Sequence, residues 1–189
     1  MIDLLSLHKL FLSMHIKSGD TVADFTMGNG GDTLWLSKAV GDNGKVYAFD
    51  IQQQALENTK KRLEEENAPQ NYTLILDSHS NLKNYIHEEI KAGVFNLGWL
   101  PGSGDKSKTT MRETTRQAVT DAISILGDDG VLLVAVYPGH EEGEKEGEML
   151  GELFASYSRF AVCCSLFRIV NSPTSPYFYL IEKKPKKGS

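Results

Sequence analysis

Apolar and polar positions along the chain alternate between helical and extended spacing. Leu4 to Met14 carries apolar residues at Leu4, Leu7, Leu10, Phe11 and Met14, a helical period that stops at Lys17-Ser18-Gly19-Asp20. Thr21 to Thr26 reads as a short strand, Gly28 to Asp32 as a glycine-rich turn, and Thr33 to Val40 as a helix ended by Gly41-Asp42-Asn43-Gly44. Lys45 to Ile51 predicts a second strand, and Gln52 to Glu66 a helix of alternating charge. A strand over Tyr72 to Asp77 and a helix over Asn81 to Ile90 come next. Val94 to Leu100 is a strand running into a Pro/Gly loop, and Thr110 to Leu126 a helix. Gly127 to Gly130 is a turn before Val131 to Tyr137, a continuous apolar strand of the kind buried on both faces. A helix over Glu144 to Tyr157 precedes two strands, Phe160 to Val170 and Tyr177 to Lys183, joined by Asn171 to Pro176.

Strands alternating with helices build βαβ units. The expected fold class is therefore α/β: a mostly parallel sheet of about seven strands, helices on both faces, and one C-terminal antiparallel hairpin, because the last link is too short for a crossover. The 189 residues suit one domain, 1–189, with no internal repeat or long linker. In such sheets ligands sit beyond the carboxyl ends of the strands, so the residues following each strand carry the functional reading.

Composition changes this picture little. Forty per cent hydrophobic and 24% charged residues are ordinary for a soluble protein, and a net charge of −5 argues against coating long duplexes, though not against gripping a few nucleotides. No apolar run approaches the roughly 20 residues that span a bilayer, and Met1-Ile2-Asp3-Leu4 does not open a signal peptide. A cytoplasmic protein is expected. The adjacent Cys163 and Cys164 sit among apolar neighbours and read as buried strand residues; no metal site is expected.

Six places carry chemistry. Asp24-Phe25-Thr26-Met27-Gly28-Asn29-Gly30-Gly31-Asp32 takes a strand through a glycine turn into a helix, which lets backbone approach a ligand. A dinucleotide turn wants a third glycine where this chain has Thr33. S-adenosylmethionine carries an amino-acid end and a sulfonium rather than phosphates, and Asp24, two positions ahead of Thr26-x-Gly28-x-Gly30, suits it. Asp50 ends the second strand, where a carboxylate accepts hydrogen bonds from ribose hydroxyls; methyl-donor and nicotinamide folds share this device. Gln52 could reach the same sugar or the base. Asp77, Ser78 and His79 follow the third strand, within reach of an adenine amino group.

The fourth is Asn96-Leu97-Gly98-Trp99-Leu100-Pro101-Gly102. An amide oxygen here can orient an attacking amine, and Trp99 can stack on a base. Its Asn-x-x-aromatic spacing is similar to the Asn-Pro-Pro-Tyr loop of amino-methyltransferases, without the prolines. The fifth, Gly104 to Arg116, sets Lys106, Lys108, Arg112 and Arg116 against Asp105 and Glu113; it reads as a phosphate contact for RNA or as a solvated helix face. The sixth is Tyr137-Pro138-Gly139-His140, where Tyr137 faces substrate and His140 serves as a general base, with Asp105 as the other candidate. Tyr177 is placed in the substrate pocket.

The glycine turn with Asp50, the Asn96 loop and Tyr137-Pro-Gly-His140 together resemble the family long labelled "putative rRNA methylase", across essentially the whole chain. Members have been assigned to tRNA wobble-uridine modification, methylating the 5-aminomethyl group of 5-aminomethyl-(2-thio)uridine. The resemblance implies a Rossmann-like class I methyltransferase fold, S-adenosyl-L-methionine as cofactor, a homodimer, and RNA, most of all the tRNA anticodon arm, as partner. It implies methyl-donor contacts at Asn29, Asp32, Asp50, Gln52, Ser78 and His79. Two positions depart: Gly31 replaces the family's usual histidine, and Trp99 stands where tyrosine is common. The open alternatives are an rRNA or small-molecule amine methyltransferase, a nicotinamide oxidoreductase, and a catalytically silent adenosine-binding RNA partner.

Overall fold

The structure, a computed structural model, describes residues 6–98, 112–139 and 141–185. Its elements in chain order are α1 (Leu7–Ser13), β1 (Thr21–Asp24), α2 (Gly31–Val40), β2 (Lys45–Asp50), α3 (Gln53–Glu65) and β3 (Tyr72–Leu76). A 3-10 helix (His79–Asn84) leads to β4 (Ile90–Asn96), α4 (Arg112–Ile125), β5 (Leu126–Val136), α5 (Glu141–Ala155), β6 (Val162–Phe167) and β7 (Tyr177–Lys183).

The strands form one seven-stranded sheet in the order β3-β2-β1-β4-β5-β7-β6. β1 to β5 run parallel; β7 is antiparallel to both β5 and β6. The expected α/β class and closing hairpin hold, and β7 is inserted between β5 and β6. The order reverses beside β1, which pairs with β2 on one side and β4 on the other. That switch point is where an open α/β sheet leaves a crevice for a ligand.

Two apolar layers cover the sheet. On one face Leu12, Val22, Leu36, Val94, Leu133 and Ala135 pack under α1 and α2. On the other, Phe25, Phe49, Phe95, Leu132, Val134 and Leu150 pack against the 3-10 helix, α4 and α5. Val131 to Val136 are all 0% exposed, as a strand covered on both faces requires.

The structure differs from the sequence reading in four places. β4 begins at Ile90, not Val94, and the helix expected over Asn81 to Ile90 is the short 3-10 helix instead. Lys91 and Gly93 hide that strand start. Gly93 is required, because a Cβ there would lie 2.7 Å from Leu132 Cδ1 and 2.8 Å from Phe25 Cε2. Gly127 to Gly130 do not end a helix as a free turn. Pairing runs Ile90 to Leu126 and then Ala92 to Val131, so these residues form a bulge inside β5, with Asp129 at φ 57°. In α1 the buried pair is His8 and Leu12, while Leu10 and Met14 face solvent. Cys163 and Cys164 are half-buried rather than buried, because β6 has a neighbour on one side only.

Candidate active site

The carboxyl ends of β1, β2 and β4 and the start of α2 converge on the switch point. β1 ends in Asp24, which is 1% exposed. Its Oδ1 accepts from the Thr26 N–H at 3.1 Å and its Oδ2 from the Thr33 hydroxyl at 2.7 Å. Asp24 thus ties the two ends of the glycine turn together. The Thr26 hydroxyl accepts the Asn96 N–H at 2.7 Å, which joins the turn to the end of β4.

The turn needs its glycines. Gly28 and Gly30 have φ of 50° and 75°, the left-handed region that glycine enters without penalty. A Cβ on Gly30 would lie 2.9 Å from both Thr59 Cα and Thr59 Oγ1. Helix α3 packs this closely because the Thr59 hydroxyl donates to the Gly28 carbonyl at 3.0 Å and Asn58 Nδ2 donates to Asn29 Oδ1 at 2.8 Å. Gly30→Ala combines left-handed strain with overpacking against backbone and is expected to cost about 2–5 kcal/mol. A matching drop in Tm measures it. Gly31 opens α2, and a Cβ there would meet Arg62 Nη1 at 3.3 Å. A larger residue at position 31 would project toward α3.

Asp50 closes the crevice from β2. Its carboxylate accepts the Gly28 N–H and the Gln52 N–H, each at 3.0 Å. Gln52 caps α3 in an extended conformation, and its side chain makes no capping bond. His79 lies against Phe95, ring centroids 5.5 Å apart, with Nδ1 3.1 Å from the Phe25 carbonyl. A carbonyl only accepts, so Nδ1 carries the proton and Nε2 is left as an acceptor. Burial lowers the His79 pKa, which keeps the ring neutral. Ser78 caps the 3-10 helix through Ser80. Asp77 turns to local partners: it accepts from Ser78 N, Asn81 Nδ2 at 2.9 Å and the Tyr85 hydroxyl at 2.9 Å.

Asp32, in the first turn of α2, joins the site to α1. Its Oδ1 accepts from His8 Nε2 at 3.1 Å and lies 3.4 Å from Lys9 Nζ; its Oδ2 accepts from Asn96 Nδ2 at 2.7 Å. Burial alone would raise the Asp32 carboxyl, but His8, Asn96 and Lys9 hold it below its ordinary value. Asp24 goes the other way. Burial first, and then the charge of Asp32, push it up to about 7 against the bonds from Thr33 and Thr26; Asp50 adds a smaller repulsion. Asp50 is itself raised by burial.

Three carboxylates that repel one another around a glycine turn repel phosphate too. They fit a ligand with an ammonium and a sulfonium. This disfavours a pyrophosphate cofactor on charge, beyond the missing third glycine.

The expected residues Asp24, Thr26, Gly28, Asn29, Gly30, Asp32, Asp50, Gln52, His79 and Asn96 are thus brought together. Tyr137 shares the sheet face of Asn96: it follows Ala135, the register partner of Asn96, and packs on the α1/α2 layer near Gly98. Tyr177 does not join them. It pairs with Val136, points to the opposite face, and lines a separate groove with Tyr179, Gly147 and Arg168. Its hydroxyl lies where a Cβ on Gly147 would be. Arg112 and Arg116 are exposed at the start of α4, with Arg112 Nε 3.6 Å from Glu142. Trp99, Asp105, Lys106, Lys108 and His140 lie outside the described residues. Among the described residues no group of three His, Cys, Asp or Glu could hold a metal ion, and no helix is long and apolar enough to cross a membrane.

The sequence reading missed His8, Lys9, Asn58 and Thr59. Only His8 gave a signal, a polar residue four positions before Leu12 within an apolar helical period.

Comparison with known proteins agrees with this fold. The crystal structure of a putative rRNA-methylase from Clostridium thermocellum is 38% identical, covers 97% of this chain and 98% of its own, and superposes with a TM-score of 0.93. A putative methyltransferase from Streptococcus mutans, solved in complex with SAH, is 34% identical, covers 97% and 99%, and has a TM-score of 0.87. The chloroplastic tRNA (mnm(5)s(2)U34)-methyltransferase of Arabidopsis thaliana is 36% identical over 181 residues, 89% of this chain. The chain spans 65% of that relative's length. Fold and relatives define a class I methyltransferase that uses S-adenosylmethionine. Residues 46–183 match the family model described as Putative rRNA methylase, and the chain belongs to that family.

Proposed function

We propose that this protein methylates an RNA amine, the 5-aminomethyl group of a wobble uridine in tRNA, with the anticodon arm as the bound element. The observation that carries the reading is the fixed amide of Asn96. Its Nδ2 donates to Asp32 at 2.7 Å and its backbone N–H to Thr26, so rotation about the amide is decided and Oδ1 is left as an acceptor. An acceptor held at the switch point takes a hydrogen bond from an incoming amine and aims the nitrogen lone pair.

S-adenosylmethionine, when bound, supplies an electrophilic methyl. The protein's residues do the rest. Asp24, Asp32 and Asp50 hold the cationic and ribose ends, His79 Nε2 accepts from the base, and Asn96 orients the amine. Such positioning is the main source of rate in a two-reactant transfer. The amine must be neutral to attack; His140 and Asp105 are the candidate bases. Tyr137 and Trp99 line the base pocket, and Lys106, Lys108, Arg112 and Arg116 contact phosphates. The curated plant relative, by its name a tRNA (mnm(5)s(2)U34)-methyltransferase, supports tRNA over rRNA.

The test is transfer of labelled methyl to tRNA and rRNA, each purified from cells lacking this gene. Label at the wobble uridine is expected. Label in rRNA alone would overturn the tRNA reading, and label in neither would point to a small-molecule amine. With the acceptor RNA in hand, alanine at Lys106, Lys108, Arg112 and Arg116 together should raise the KM for RNA at least tenfold and flatten its salt dependence. A small-molecule enzyme would be indifferent to this change.

A further inference from the structure

We propose that His8 of α1 is a positioning residue for the transfer, acting on Asn96 through Asp32. The inference rests on the role given to Asn96 above. Its basis is a continuous chain of hydrogen bonds from a helix outside the glycine turn to the end of β4: His8 Nε2 to Asp32 Oδ1 at 3.1 Å, and Asn96 Nδ2 to Asp32 Oδ2 at 2.7 Å. The two donors take opposite oxygens of one carboxylate, so the plane of that carboxylate is set by His8 on one side and read by Asn96 on the other.

Lys9 cannot replace His8. Its Nζ lies 3.4 Å from the same Oδ1, and its side chain is 39% exposed against 8% for His8. An ammonium on a flexible, partly exposed stem supplies charge without direction, whereas the buried imidazole supplies one fixed donor. Asp32 accepts only, so Nε2 of His8 is the protonated nitrogen in this bond. The other nitrogen, Nδ1, is buried and has no hydrogen-bond partner among the described residues. A buried polar atom without a partner is destabilising. A plain packing role at this site would be filled better by leucine, which leaves no such atom. Among the described residues the bond from Nε2 to Asp32 is the one hydrogen bond the His8 ring makes.

The proposal separates His8 from residues that merely hold α1 in place. Leu12, one turn on, is buried in the same layer but has no polar link to Asn96. Glutamine places its amide nitrogen where histidine places Nε2, so His8→Gln should keep the bond and His8→Leu should remove it.

The experiment measures methyl transfer to total RNA from cells lacking the gene, by wild type, His8→Leu, His8→Gln, Asn96→Ala and the double variant His8→Leu/Asn96→Ala. Thermal melts run beside it. The Asn96 side-chain amide resonances provide a readout independent of activity. His8→Leu is expected to lower kcat about 10- to 50-fold with the KM for RNA within threefold, and to shift the Asn96 amide resonances. His8→Gln is expected to restore both. The double variant should be no slower than Asn96→Ala alone, because two residues acting through one contact are not additive. If Asn96→Ala is slow but His8→Leu, folded, turns over like wild type, His8 has no positioning role. A double variant slower by the full His8→Leu factor also overturns the proposal. If Asn96→Ala itself turns over normally, the fault lies with the role of Asn96, and the amide resonances still report whether His8 sets its orientation.

Discussion

Replacing Asn96 with alanine is expected to lower kcat by two to three orders of magnitude while leaving cofactor affinity within a few-fold. The size follows from what the residue does. A donor or acceptor preorganised against a reacting atom is worth about 3–4 kcal/mol in a water-poor site, and a near-attack geometry lost by an ångström costs about a hundredfold. The split between kcat and affinity follows from where Asn96 sits. Its backbone bond to Thr26 survives in alanine, Asp32 keeps its contacts to His8 and Lys9 when the Asn96 amide is lost, and Gly28 and Asp50 are joined to each other without it. Asn96→Asp is the sharper control. It keeps the shape but sets a carboxylate 2.7 Å from Asp32 Oδ2 in place of a donor. One of the pair must then hold a proton, so turnover should fall as far as for alanine, with a new dependence on pH. Rapid-mix single-turnover transfer and equilibrium binding of the cofactor, measured separately, check both statements. Alanine turnover within threefold of wild type would remove Asn96 from the chemistry.

Asp24→Asn is expected to stabilise the cofactor-free protein above pH 7 and to weaken cofactor binding at least tenfold. The folded pKa of Asp24 is raised from 3.8 to about 7 by burial and by Asp32. A carboxyl raised on folding binds its proton more tightly in the folded state. Its contribution to stability is therefore fully present below pH 3.8 and is lost as pH rises through about 7. Above that pH the ionised group opposes folding by up to about 4 kcal/mol. The amide removes this penalty and can still accept from Thr26, while Thr33 turns its hydroxyl to accept instead. Wild type and variant should have similar Tm near pH 4 and diverge between pH 5 and 7, with the variant higher. Binding of a cation favours the ionised carboxyl, so cofactor binding to wild type at pH 6.5 should release up to about three-quarters of a proton, seen as a calorimetric heat that depends on the buffer. Binding to Asp24→Asn should release none. Parallel stability curves for the two proteins from pH 4 to 8 would show that Asp24 is ionised throughout.

These two residues also show how far the sequence could be read. Asp24, Asp50 and the glycines were legible because each stands at a fixed offset from a strand end, and strand ends show as apolar runs stopped by glycine or polar residues. Asn96 was legible for the same reason, although the strand that carries it was read as starting four residues late. Lys91 and Gly93 broke its apolar run, and the need for glycine at 93 comes from Leu132 and Phe25, which are remote in sequence. Asn58, Thr59 and His8 were not read as site residues because their roles depend on how α3 and α1 dock. Tyr177 was placed in the pocket because it begins the last strand. The register with Val136 decides its face, and a slip of one residue would have reversed it. No run of residues in the chain prints that register.

The insertion of β7 between β5 and β6 sets an order in time. While a ribosome is still synthesising residues 137–176, the apolar strand Val131 to Val136 can pair with β4 but has an open edge on its other side. An unpaired apolar edge is a template for another chain. The partner that closes it lies some 45 residues further on, so the sheet closes through a non-local contact, which is slow to form. The nascent protein passes through a window in which its most apolar strand is sticky, and β6 has nothing to pair with until β7 arrives. The crevice at β1 and β4 lies on the far side of β5 from this seam. The ligand-binding half can take shape first, with the hairpin closing the sheet behind it.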